Sequence, residues 1–287
     1  MNKDVLNVIC FGEVLMDNFP EGRRIGGAPL NVCYHLNKNG IQSRIVSQVG
    51  NDAIGDELFS GIGDLGVDTE YIKKTDRFNT STVEVHIDTD GKVSYEIVEP
   101  VAWDGLEYDS EAALAVEKST AFVFGTLAAR SKASRGTLFK YLDRANWSVF
   151  DVNIRPPFYS RELIWELMGK CQTLKVNDDE LKILATWLSE VKLSMIEALD
   201  TILDRFPNIQ EILLTMGAEG AVYRSRKQFI SVPAKRVEVK DTVGSGDSFL
   251  AAFLAKKIQG ATILVALEYA VEVSAYVATQ QGACPDY

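Results

Sequence analysis

Asp241-Thr242-Val243-Gly244-Ser245-Gly246-Asp247-Ser248 runs directly into Phe249-Leu250-Ala251-Ala252-Phe253-Leu254, and the rest of the chain is best read outward from this stretch. Two glycines flank a serine, so the backbone can turn tightly and point successive N–H groups one way. The run that follows has apolar and small residues at helical spacing, which places those N–H groups at a helix N-terminus. A helix N-terminus favours an anion. An aspartate in the same place is the odd element, because a carboxylate and a phosphate repel. Either Asp247 caps its helix, or it receives a proton beside a bound phosphate, as phosphoryl transfer to an alcohol requires. The loop is not a P-loop, since no Gly-Lys-Ser/Thr follows, and it lacks the spacing of a dinucleotide fingerprint.

Length and composition narrow the surroundings of this loop. A chain of 287 residues with 46% hydrophobic content forms one large domain or two small ones with ample core. A formal charge of −10 argues against nucleic acid or an anionic membrane as partner, and makes an anionic nucleotide depend on locally placed cations or a metal. Cys10, Cys33, Cys171 and Cys284 show no paired metal spacing, so reduced thiols and a cytoplasmic location are expected. Residues 1–12 lack the pattern of a signal peptide. Ala261 to Ala278 is apolar but carries Glu268 and Glu272 at helical period, and reads as a packed helix rather than a span.

Short β-rich runs alternate with helical patterns. Val5–Phe11, Ala121–Gly125, Ser148–Val152, Thr173–Val176 and Glu211–Thr215 read as strands. Ile54, Leu58, Ile62 and Leu65 mark a helix begun by Asp52 and stopped by Gly66. The alternation implies an α/β fold with a largely parallel sheet. Thr82 to Val98 breaks the pattern, with Val83, Val85 and Ile87 on one face, then Asp90-Gly91, then Val93, Tyr95 and Ile97. That is a hairpin signal, for a lid, a subunit interface or a plain edge. Polar residues follow four strands: Gly125-Thr126; Asp151, Asn153 and Arg155; Asn177 through Glu180; Thr215 through Gly217. Ligands of open α/β sheets bind beyond the strands' carboxyl ends, so one shared cleft is expected there.

A second glycine motif, Gly26-Gly27-Ala28-Pro29-Leu30-Asn31, starts a helix whose apolar face is Leu30, Cys33 and Leu36 and which Gly40 ends. Asn31 then lies in the first turn, as a ligand contact or as an incidental residue.

Taken together these pieces resemble the family of sugar and nucleoside kinases that contains ribokinase, fructokinase and adenosine kinase. The resemblance covers essentially the whole chain. Gly26, Gly27, Asn31 and Gly40, continued by Gly50, Asp52 and Gly55, match its first signature; Asp241-Thr242 and Gly244 to Asp247 match its second. It implies a ribokinase-like three-layer α/β sandwich over 1–287, with a mostly parallel central sheet and a small β-sheet lid from segments near 13–25 and 79–104. It further implies ATP, Mg²⁺ and in some members K⁺. By the same resemblance Asp247 is the general base, and Gly244, Ser245 and Gly246 form the anion hole. Asp17 and Asn31, with Gly26-Gly27 as a hinge, contact the sugar; Asn153 and Arg155 lie near sugar and phosphates. Asn177 and Glu180 position Mg²⁺, in part through water. Thr215, Gly217, Gly220 and Thr242 line the nucleotide, and Asp241 with the 278–282 segment holds K⁺.

Some features point within the family. Ala28-Pro29-Leu30-Asn31 after the double glycine, Ala102-Trp103-Asp104 in the expected lid and Gly125 to Arg130 resemble the fructokinase branch. Trp103 would wall the sugar site or serve packing; Arg130 would reach a sugar or phosphate oxygen or be solvated. His35 is expected in helix packing and His86 on an exposed lid face. The expected activity is fructose phosphorylation, with 2-keto-3-deoxygluconate or ribose kinase as nearest rivals and a non-catalytic sugar-binding regulator as the alternative of another class. A homodimer formed through the lid is expected.

Overall fold

The computed structural model describes residues 7–19, 22–87 and 93–287, the side chains of 84–87 and 93–96 apart. In chain order the strands and helices are β1 (Asn7–Phe11), β2 (Leu15–Phe19), β3 (Gly22–Gly26), α1 (Ala28–Lys38), β4 (Gln42–Gly50), α2 (Ala53–Asp64) and β5 (Ile72–Thr75). Next come β6 (Thr82–Ile87), β7 (Val93–Ile97), α3 (Ser110–Lys118), β8 (Ala121–Gly125), α4 (Lys132–Leu142), β9 (Ser148–Asp151), α5 (Arg161–Met168) and β10 (Thr173–Asn177). The chain continues through α6 (Asp178–Leu188), α7 (Met195–Arg205), β11 (Glu211–Thr215), β12 (Ala221–Ser225), β13 (Phe229–Val232), α8 (Ser245–Ile258) and α9 (Ile263–Ala278).

Nine strands form one sheet in the order β13-β12-β11-β10-β9-β8-β1-β4-β5. It is parallel from β11 to β5, and β12 and β13 add an antiparallel edge. Side-chain alternation divides its residues between two buried layers. Ile9, Phe11, Phe122, Phe124 and Phe150 face the core of α3 to α7. Val8, Cys10, Val123, Val149 and Leu213 face the core of α1, α2, α8 and α9. The result is a three-layer α/β sandwich. No described helix is long and apolar enough to cross a membrane.

A second sheet, in the order β3-β2-β6-β7, is separate from the first. Its hairpin strands pair as the alternation requires, Val83 with Ile97 and Val85 with Tyr95. The Asp90-Gly91 turn lies outside the described residues, as do Pro20, Glu21 and the side chains of Glu84 and His86. Two strand-order features place a cleft. Chain order reverses at β1, whose neighbours are β8 and β4. The loops after β1, β8, β9, β10 and β11 all emerge at the same edge, with the small sheet's β2 and β3 issuing from the first of them.

Local signals set the helices that frame this edge. Asp52 caps α2 by accepting from Gly55 N at 2.7 Å, and Gly66 takes the left-handed conformation (φ 75°) beyond its end. Gly27 precedes α1 with φ 123°, and a Cβ there would stand 2.3 Å from the Glu13 carbonyl oxygen, so only glycine fits.

One expectation fails here. Ala102-Trp103-Asp104 is not part of the second sheet: it forms a short 3-10 turn inside the main core, with the Ala102 carbonyl accepting from Gln48 Nε2 at 3.0 Å. Apolar packing outweighs sequence proximity to the hairpin.

Candidate active site

The second glycine stretch forms the loop-to-helix junction that opens α8. Gly244, not Asp247, is the N-cap residue, with φ 77° and no side-chain cap. The capping role weighed for Asp247 is therefore ruled out. A Cβ on Gly244 would stand 2.6 Å from Ala283 Cα and 2.7 Å from its carbonyl oxygen. The first intrahelical bond runs from Ser248 N to Gly244 O at 2.8 Å, so the N–H groups of Gly246 and Asp247 precede the helical ladder. The Ser245 hydroxyl is 2.8 Å from that of Ser274, which ties the loop to α9.

Asp247 sits in the first turn of α8, and its Oδ2 accepts from Asn31 Nδ2 at 2.8 Å. The two glycine motifs, 216 residues apart, thus meet at this one bond. Burial, then the charge of Asp151, push the Asp247 carboxyl up to about 6; Asn31, Lys175 and Arg155 pull it down. Asn31 is buried at 5% exposure, and its other edge, Oδ1, accepts from Cys284 Sγ at 3.4 Å.

Lys175, which the sequence reading did not single out, lies beneath the loop. A Cβ on Gly246 would stand 3.1 Å from its Nζ. The ammonium bonds Asp151 Oδ1 at 3.0 Å and Oδ2 at 3.3 Å, both residues being buried. Burial works against its charge, but Asp151, Glu180 and Asp247 outweigh burial and hold it protonated. A legible signal did exist: a lysine inside Thr-Leu-Lys-Val-Asn, an otherwise apolar buried strand, needs a carboxylate on the neighbouring strand. The register supplies it, pairing Lys175 with Asp151.

Glu13 was also missed. It follows β1, is 3% exposed, and its Oε2 has no hydrogen-bond partner. Burial, opposed by backbone N–H groups and Arg155 and reinforced by Asp247, raises its carboxyl to about 7.

The Asn-x-x-Glu element is a reciprocal cap on α6. Asn177 Oδ1 accepts from Glu180 N at 2.8 Å and Glu180 Oε2 from Asn177 N at 2.9 Å. Glu180 Oε1 accepts from Ile154 N at 2.9 Å, which fixes the loop carrying Asn153 and Arg155. Asn153 is left-handed (φ 37°), a conformation asparagine tolerates. Arg155 is exposed, its Nη1 donating to the Ile154 carbonyl at 3.2 Å. Each Glu180 oxygen keeps a second lone pair, which suits a magnesium ion held mainly by phosphates and water. Among the described residues no three His, Cys, Asp or Glu side chains form a metal cage of their own.

Other expected residues fall nearby. Asp17 pairs with Arg24 in the small sheet, and its Oδ2 would be 2.7 Å from a Cβ on Gly26. Burial raises the Asp17 carboxyl to about 6 against the pull of Arg24. Thr215 is the register partner of Asn177, and the turn after it uses Gly217 (φ 51°) and Gly220 (φ 106°). Thr242 is exposed beside the loop. Asp241 bridges two segments, accepting from Val243 N and Gly282 N, both at 3.0 Å. A mostly apolar cavity of about 420 Å³ opens between Lys235, Val237, Tyr276, Thr279 and Tyr287, on the α9 surface next to Ser274. Its size and lining suit a nucleobase. Sequence reading missed it because its walls come from helix surface and tail rather than from a motif.

Two expected sugar contacts are corrected. Trp103 is 0% exposed and has no surface to offer a sugar. Arg130 is not solvated: its side chain is 4% exposed, forks onto Asp104 (Nε to Oδ1 2.8 Å, Nη2 to Oδ2 2.7 Å), donates from Nη2 to the Val98 carbonyl as well and lies over the Trp103 ring at 4.1 Å, with Nη1 alone lacking a partner among the described residues. Burial makes pairing obligatory, so its charge is committed to Asp104. His35 is a packing residue as expected, bonded to Ala283 O and the Tyr287 hydroxyl.

Comparison with known proteins places the chain among sugar kinases. Fructokinase-2 of Solanum lycopersicum is 26% identical over 307 residues, covering 97% of this chain and 92% of its own length. An ATP-dependent 6-phosphofructokinase of Thermoanaerobacterium thermosaccharolyticum is 28% identical over 302 residues, covering 98% and 90%. Among solved structures, a fructokinase from Xylella fastidiosa with bound ATP superposes with a TM-score of 0.85 at 24% identity, over 96% of this chain and 93% of that one. A Vibrio cholerae fructokinase with fructose, ADP and calcium gives 0.80 at 22%, over 98% and 96%. The model of the pfkB family carbohydrate kinases matches residues 7–287, so this chain, from its first described strand to its last residue, belongs to that family of sugar kinases.

Proposed function

We propose that the chain is an ATP-dependent fructokinase, moving the γ-phosphate of ATP to D-fructose to give fructose 6-phosphate. The observation that carries the reading is Asp247: a carboxylate in the first turn of α8, beside unladdered N–H groups, held by an amide rather than neutralised by a direct ion pair. With its carboxyl at about 6, Asp247 is mostly ionised at pH 7.5 and basic enough to accept the proton of an attacking hydroxyl. The loop N–H groups and the Lys175 ammonium below them favour negative charge on a phosphoryl group in transfer. Arg155, on the loop fixed by Glu180, is free to add to that stabilisation. Bound Mg²⁺ would neutralise phosphate charge, facing Asn177 and Glu180. Asp17, Gly26, Gly27, Asn31 and Asn153 border the sugar; Thr215, Gly217, Gly220 and Thr242 border the nucleotide, with the α9 cavity for its base. K⁺ at Asp241, a lid-to-lid homodimer and a cytoplasmic location belong to the same proposal.

Fructose is favoured over 2-keto-3-deoxygluconate and ribose by the Ala28-Pro29-Leu30-Asn31 sequence after the double glycine and by full-length relatives named fructokinase. The test is a panel of fructose, 2-keto-3-deoxygluconate, ribose and fructose 6-phosphate with ATP and Mg²⁺, scored by ADP release. Fructose should give the highest kcat/KM, and Asp247→Asn should lower kcat by about 10²–10⁴-fold. Turnover of another sugar alone refutes fructose. Unchanged turnover in Asp247→Asn removes Asp247 from the mechanism.

A further inference from the structure

Asn31 offers an amide with two unlike edges, and only one of them suits an ionised Asp247. With its N–H edge toward Asp247, as observed at 2.8 Å, the amide stabilises the carboxylate. Turned over, it would present its carbonyl, which only a protonated carboxyl can satisfy. Whatever sits on the far side of the amide therefore biases the protonation of Asp247.

That far side is occupied by a thiol. Cys284 Sγ donates to Asn31 Oδ1 at 3.4 Å. Burial, and then the charge of Asp247, raise the thiol to about 12, so it keeps its proton throughout the neutral range. The segment around it is pinned. Gly282 N donates to Asp241, the Ala283 carbonyl accepts from His35 Nε2 at 2.8 Å, and the Pro285 carbonyl accepts from the Tyr34 hydroxyl at 2.8 Å. His35 is neutral, burial lowering it to about 4, so Nε2 carries the proton given to Ala283 and Nδ1 accepts from the Tyr287 hydroxyl. Tyr34 and His35 lie on the same helix as Asn31, so the tail and α1 hold thiol and amide in one frame.

We propose that Cys284 is a positioning residue for the reaction: its S–H fixes the Asn31 amide with the N–H edge toward Asp247, and so favours the ionised base. Cys284 touches no reacting atom on this account. The proposal rests on the reading of Asp247 as the base. The other groups that act on Asp247 are Asp151 on β9, Lys175 on β10, Arg155 on the loop after β9 and Glu13 after β1, and none of them contacts the thiol. A changed side chain at 284 leaves them in place.

The experiment is kcat/KM against pH, from 5 to 8.5, for the wild type, Cys284→Ser, Cys284→Ala and Asp247→Asn. Serine keeps a donor and alanine removes it. The wild type and Cys284→Ser should share an acid limb near pH 6. In Cys284→Ala the limb should move upward, so that kcat/KM at pH 5.5 falls by about threefold to tenfold, the scale of one net hydrogen bond, while the values at pH 8 agree. The proposal is overturned if Cys284→Ala superimposes on the wild type, if Cys284→Ser shifts as far as Cys284→Ala, or if Cys284→Ala loses activity equally at every pH. Failure of the base reading looks different: Asp247→Asn would then retain turnover and the acid limb, whatever the cysteine variants do.

Discussion

Replacing Glu13 by glutamine should make the protein more stable at pH 8, although it alters a residue at the centre of the cleft. Glu13 is almost wholly buried, with Oε2 unpartnered, and its carboxyl stands at about 7 against an ordinary 4.5. In the unfolded chain the proton leaves near 4.5, whereas the folded chain holds it until about 7. Between those values the folded state binds more protons than the unfolded one, so this group's contribution to stability falls as pH rises and levels off above 7. The interval corresponds to roughly 3 kcal/mol at 1.36 kcal/mol per pH unit. Glutamine mimics the protonated acid in shape and lacks the charge. Wild type and Glu13→Gln should therefore agree near pH 4, below the unfolded value, and the variant should lead by about 3 kcal/mol at pH 8, on the order of 5–10 °C in Tm for a chain of this size. Urea unfolding at half-unit pH steps and constant ionic strength reads the difference. Asp17 and Asp247 titrate in both proteins, so to first order they cancel. Parallel curves across the range, or a wild type more stable at pH 8, would refute the argument.

Two further outcomes test the frame around the site. Gly244→Ala places a Cβ within 2.7 Å of the Ala283 backbone at φ 77°, so both clash and strain apply; thermal melts should show a loss of about 1–3 kcal/mol or more, with turnover falling alongside. Arg130→Met leaves Asp104 buried and unpaired and should cost about 3–5 kcal/mol by chemical denaturation, whereas Arg130→Met combined with Asp104→Leu should recover most of it.

What the sequence revealed and what it hid divide along the range of the interactions involved. Ala121–Gly125 and Glu211–Thr215 were legible to the residue because buried parallel strands are continuous apolar runs with glycine or polar stops. Asp52 and Gly66 announced both ends of α2, since caps act within one turn. Gly244 to Asp247 was legible as the start of a helix but not as to which residue caps it, because both glycine and aspartate suit that position. Contacts between distant segments were hidden. Arg130 and Trp103 look like binding residues in a linear reading, and only three-dimensional packing shows the guanidinium committed to Asp104. The resemblance gave Asn31 and Asp247 separate roles but not the bond between them, and the Cys284 contact was equally hidden, because side-chain bonds across 216 and 253 residues leave no local pattern.

The charge balance of the cleft joins these observations. Glu13, Asp151, Glu180 and Asp247 lie around the glycine loop, and Lys175 and Arg155 are the cations that act on them. Burial is the main reason that the carboxyls of Glu13, Glu180 and Asp247 all stand above their ordinary values, and the charge of Asp151 adds to it at Glu180 and Asp247, while Asp151 itself holds the ion pair with Lys175. With Asp247 as the proposed base, a nucleoside triphosphate entering alone would add several negative charges and push it further toward its protonated, inactive form. A divalent cation bound with the phosphates would oppose that, by offsetting their charge where a base at Asp247 has to stay ionised. On the proposed reading, the raised carboxyl of Asp247 and a requirement for metal-bound nucleotide would be two consequences of one arrangement: a buried cleft that already holds four carboxyls.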